Sequence, residues 1–132
     1  LYLGLPENGS GAVCDVIFRR ANIVRKDGSP IPYPADIVIN TERRRASFFE
    51  TNRIRNVGDL ATLHALDEYD ASDFNVVQRF GEFNTGALAE FFFYRKDRVI
   101  DWTAADIEKQ FPPDAVFSGG KWIKGEKVVP MK

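Results

Sequence analysis

A chain of 132 residues with 44% hydrophobic, 28% charged and 13% aromatic side chains has the size and composition of one folded domain, which excludes a disordered linker. Its net charge of −1 gives no global field for nucleic acid or a membrane surface, and no apolar run approaches the ~18 residues of a membrane-spanning helix. A single cysteine, Cys14, and a single histidine, His64, exclude an intrachain disulfide and a structural zinc site of four cysteines or of two cysteines and two histidines.

Residues 1–11 carry Pro6, Asn8, Gly9, Ser10 and Gly11 and read as a flexible N-terminal arm. From Ala12 to Arg25 apolar residues alternate on both faces: Cys14, Val16 and Phe18 share one, and Val13, Ile17, Ala21 and Ile23 the other, interrupted by Arg19. That pattern predicts a long strand, bulged near Arg19-Arg20. Asp27-Gly28 supplies the positive φ of a tight turn, and Pro30, Pro32 and Pro34 predict an extended stretch at a sheet edge. Ile37-Val38-Ile39 reads as a short buried strand, and Ala46 to Arg55 as another.

Asp59 is a good N-cap, and Leu60, Leu63 and Leu66 are spaced as the apolar stripe of a helix reaching Tyr69, with His64 at its edge. Across residues 70–83, Phe74, Val76, Val77, Phe80 and Phe83 favour a strand over a helix capped by Ser72 or Asp73. Ala87 to Arg95 is the clearest strand, with Leu88, Phe92 and Tyr94 on one face and Phe91 and Phe93 on the other. Arg95 to Arg98 predicts a reversal, with Val99 to Trp102 as the hairpin partner. Thr103 with Asp106 resembles a capping box for a second helix ending before Pro112-Pro113. Short strands at 115–117, 121–124 and 127–129 follow, separated by Gly119-Gly120 and Gly125.

The expected fold is therefore one α+β domain over residues 1–132. It is mainly an antiparallel sheet with two short helices packed on it, and residues 130–132 form a tail.

The charges are segregated. Residues 57–91 hold one Arg against seven acids, whereas residues 1–56 hold nine Lys/Arg against six acids and residues 92–132 eight against six. The basic cluster of Arg43, Arg44, Arg45, Arg53 and Arg55 could line one sheet face and suit RNA or single-stranded DNA. Near-zero net charge favours instead pairing of arginines with the acidic block within the fold or in a neighbouring subunit.

Chemistry-bearing motifs are sparse. No phosphate-cradling loop, G-x-S-x-G turn or calcium loop is present, and nothing calls for a metal or a cofactor. Cys14, in phase with Val16 and Phe18, reads as a small core residue. Glu90, in phase with Phe92 and Tyr94, is expected to be buried beside an arginine. It is the best catalytic candidate, with Asp101, Tyr94 and Arg95 as helpers and His64 as the lone histidine.

These features favour a non-enzymatic binding or assembly module, such as a viral or phage structural subunit or a small inhibitor. Its partner is a protein or a second copy, met through Phe91 and Phe93. The alternatives are a ligand-pocket enzyme built on Glu90 and a nucleic-acid-binding domain built on the arginines. The N-terminus shows no basic-then-apolar signal, which points to the cytoplasm or a virion and away from a membrane.

Overall fold

The computed structural model describes residues 13–25, 28–40, 45–51, 64–80, 90–104, 106–125 and 128–131. Among them the chain forms β1 (Val13–Val24), β2 (Ala35–Asn40), β3 (Arg45–Glu50), β4 (His64–Asp70), β5 (Phe74–Phe80), β6 (Glu90–Arg95), α1 (Ile107–Gln110), β7 (Ala115–Ser118), β8 (Lys121–Lys124) and β9 (Val129–Pro130). The strands make one mixed sheet in the order β3-β2-β1-β5-β6-β7-β8, with β4 also on β1 and β9 on β4.

The long strand β1 organises the sheet. One edge pairs antiparallel with β2. The other pairs in parallel first with β4, from Val13↔His64 to Arg19↔Asp70, and then with β5, from Asn22↔Asn75 to Val24↔Val77. The expected bulge is at Arg19-Arg20: the register with β2 shifts between Phe18 and Ala21, and Arg20 lies at φ 58. A left-handed arginine is strained, so the surroundings must hold it. The Arg20 N–H donates to Asp36 Oδ1 at 3.0 Å, and the Ala71 N–H donates to the Arg19 carbonyl at 2.8 Å. The extra residue keeps Val16 and Phe18 before the bulge, and Ala21 and Ile23 after it, in the same core.

That core joins both halves of the sheet. Ile37, Ile39 and Ala46 from β2 and β3 pack with Phe74, Val76, Phe91, Phe93 and Phe117 from β5 to β7. The sheet curls far enough for Trp122 of β8 to lie edge-on to Phe18 at 5.7 Å and to Tyr69 of β4 at 5.4 Å. The outer face of β5 to β7 is buried as well. Val77, Phe92, Tyr94 and Val116 are covered by Ile100, Trp102, Ile107 and Phe111 from the connection between β6 and β7. The turn before β2 packs against that connection, and a Cβ at Gly28, at φ +89, would run into the Trp102 carbonyl.

The α+β expectation is overturned: the molecule is predominantly β, its sheet is mixed rather than antiparallel, and among the described residues there is one short helix rather than two packed on the sheet. Residues 64–69, expected in the first helix, belong to β4; the start of that helix at Asp59 lies outside the described residues. The leucine spacing suited a helix, but the edge of β1 offered a ladder, and tertiary pairing outweighs local propensity. The second helix shrinks to the four residues of α1. Its N-cap is Asp106, without a side-chain cap, because the Thr103 N–H and hydroxyl both donate to Asp101 Oδ1. Val99 to Trp102 is no hairpin strand; Ile100 and Trp102 from it pack in the cluster that covers Tyr94. The expected tail is seated too, since Pro130 pairs with Tyr69.

Candidate functional site

The residues proposed for catalysis do not converge. Glu90 begins β6 half-buried, in register with Phe80. Tyr94, on the same strand face, lies about 13 Å further along at ~3.3 Å per residue, buried edge-on to Trp102 at 5.5 Å. Asp101 is exposed and occupied by its own turn: it accepts from Thr103, while Gln110 bonds both its N–H and its carbonyl. His64 opens β4 opposite Val13, and its side chain lies outside the described residues. Cys14 is buried, and desolvation, reinforced by the nearby Asp15 carboxylate, pushes its thiol up to about 12, so it carries no nucleophilic thiolate near neutral pH.

Phe91 and Phe93 are 1% and 0% exposed in the core within the chain, which removes them from any interface. Arg43, Arg44, Arg53 and Arg55 lie outside the described residues, as does the side chain of Arg45.

Charged chemistry gathers instead where β1, β2 and β4 meet. Arg19, itself buried, donates from Nη1 to Asp36 Oδ2 at 3.0 Å and from Nε and Nη2 to Glu68 Oε1 at 3.0 and 2.8 Å. Burial alone would lower the guanidinium pKa, but hydrogen bonds from it to Glu68 and Asp36 outweigh that and raise it. Asp36 Oδ1 also accepts from the Thr51 hydroxyl at 3.3 Å. Beside this group Arg20 meets Asp70 at 2.7 Å. Desolvation raises the Asp70 pKa, but the hydrogen bonds from Ser72 and Arg20 prevail and hold it below 3.8. These pairings fix the bulge and the position of β4. They join the basic first segment to the acidic central one inside the fold.

The same outer sheet face changes character across this cluster. On β1 to β3 it is buried, through Ile17, Val38, Ser47 and Phe49. On β4 and β9 it is bare: Leu66, Val129 and Met131 are 60%, 58% and 41% exposed. Alternation puts Leu66 on the face of Glu68 and Asp70, and the register Asp70↔Val129 puts Val129 there also. Met131, two residues beyond, donates its N–H to the Glu68 carbonyl at 2.9 Å. Sequence reasoning missed this row. Its faint signal was a leucine inside an otherwise acidic stretch, and an apolar Val128-Val129-Pro130-Met131 near residue 132.

Elsewhere a shallow open hollow of about 210 Å³ is lined by Asp73, Arg95, Lys96 and Asp97, two acids and two bases without a nucleophile. Among the described residues no group of three His, Cys, Asp or Glu is arranged to hold a metal ion, and no helix is long and apolar enough to cross a membrane. No protein-family model, curated protein or solved structure matches the chain, so its function is read from its own residues.

Proposed function

We propose that this domain is a non-enzymatic binding or assembly module that works through protein–protein contact. The observation that carries the reading is the bare apolar row of Leu66, Val129 and Met131 on the rim formed by β4 and β9. Exposed apolar side chains sharing a sheet face with charged groups of fixed geometry make a surface that binding proteins present. The charged groups next to it are committed to holding the fold: Arg19, Arg20, Asp36, Glu68 and Asp70 are all engaged with one another. This arrangement supports recognition more than turnover.

Sedimentation equilibrium over a roughly hundredfold concentration range tests the form in which the partner is a second copy. A mass that rises above 14.9 kDa with concentration supports it, and a constant 14.9 kDa rules self-association out.

A further inference from the structure

We infer that β9 is an exchangeable strand: residues 128–131 of one copy seat on β4 of a second copy, so that copies join by swapping this segment. The inference rests on the assembly reading above and names its route. β9 is held by little. Among the described residues it pairs with β4 at Tyr69↔Pro130 and Asp70↔Val129, with one more hydrogen bond from the Met131 N–H to the Glu68 carbonyl. Pro130 has no N–H to give the ladder. The anchor is a single side chain, Val128, which is 1% exposed and sits in the shared core, whereas Val129, Pro130 and Met131 are all exposed. β8 ends at Lys124, and Gly125 at φ +57 turns the chain away from it.

The seat is therefore a socket for one valine and a short strand edge, and its contacts are the same whichever copy supplies the strand. That identity of contacts is what makes strand exchange a low-cost route between copies. An edge left by a departing β9 is also a template for another strand.

Charge does not oppose the exchange. Glu68 and Asp70 are already paired with Arg19 and Arg20, and residues 121–132 carry Lys121, Lys124, Lys127 and Lys132 against Glu126 alone, so the segment meets the same groups on either copy.

The test is the full chain with Asp70→Cys and Val129→Cys, the facing pair in the ladder, oxidised at high dilution so that β9 is locked onto its own β4. Buried Cys14 stays in place. Sedimentation of the reduced and locked forms then decides. Association of the reduced form together with a constant 14.9 kDa for the locked form supports exchange. Equal association of both overturns exchange and leaves the assembly reading standing, while no association of either removes both for a second copy. A second measurement needs no lock: Asp70→Cys and Val129→Cys in separate copies, mixed and oxidised, give a mixed disulfide dimer if β9 is exchanged. Absence of that dimer, when the double variant closes its own disulfide, overturns the inference.

Discussion

β6 and β4 both border the shared core, but they are finished differently. β6 runs Glu-Phe-Phe-Phe-Tyr-Arg and is buried on both faces, by the core on the side of Phe91 and Phe93 and by the β6–β7 connection on the side of Phe92 and Tyr94. β4 runs His-Ala-Leu-Asp-Glu-Tyr-Asp; it gives Tyr69 to the core, commits Glu68 and Asp70 to arginines and leaves Leu66 bare. An apolar strand is thus no sign of an interface when the chain brings its own cover. On β4, by contrast, the charges are spent on holding the strand and the remaining leucine stays exposed.

The largest effect that sharpens this contrast is expected at Phe93. Its ring is fully buried against Phe18 at 4.9 Å, Trp122 at 5.6 Å and Phe74 at 6.1 Å. Truncation leaves a cavity that three aromatic neighbours cannot all fill, so Phe93→Ala should cost about 3–5 kcal/mol in urea unfolding. A loss under about 1 kcal/mol, within the range of ordinary surface changes, would show that β6 is not buried on its inner side.

Next comes the pin that sets β4. Asp36→Ala removes a 2% exposed carboxylate, leaving Arg19 with Glu68 alone and the Arg20 N–H without its acceptor at the strained bulge. Breaking a buried pair from one side should cost about 3 kcal/mol. A variant as stable as the parent would mean that the bulge is held without Asp36, by the pairs Arg19–Glu68 and Arg20–Asp70 and the ladder with β4.

A smaller effect is expected in acid, from the cover over β6. Asp114 accepts from Arg98 at 2.9 Å and from the Arg95 N–H at 2.9 Å. Desolvation raises its pKa, but these bonds prevail and hold it below 3.8. A carboxylate depressed in the folded state adds stability that is present above its unfolded value and lost as the pH falls through its folded one. The thermal midpoint of the parent should therefore fall more steeply below pH 3.8 than that of Asp114→Asn. Parallel curves below that pH would show that the bonds to Asp114 are not kept in solution.

Much of the sheet was legible in the sequence. Apolar residues on both faces, interrupted at Arg19, pointed to the bulge near Arg19-Arg20, and Gly119-Gly120, both at positive φ, located the turn between β7 and β8. The continuous Phe run declared that β6 needed two covers, though not that residues 96–114 would supply one. β4 was not legible, because Leu66 continued a helical spacing and parallel pairing with β1 leaves no local mark. The apolar row was hidden for the same reason: Leu66 and Val129 are far apart in the chain, and only the register of β9 on β4 puts them on one face. Of the arginine cluster, Arg43, Arg44, Arg53 and Arg55 and the side chain of Arg45 fall outside the described residues.

The smallest effect on stability is expected at the bare row itself, and it is the one that separates a partner surface from an unfinished core. Leu66 is 60% exposed, so Leu66→Ser removes little buried area, and the unfolding free energy should stay within about 0.5 kcal/mol of the parent. If the rim meets a partner, the lost side chain acts on association: the concentration at which the mass rises should move upward while the unfolding midpoint does not. A large loss of stability with unchanged association would place Leu66 under cover within its own chain. The contrast between β4 and β6 would then collapse, because β4 would be buried on both faces as well.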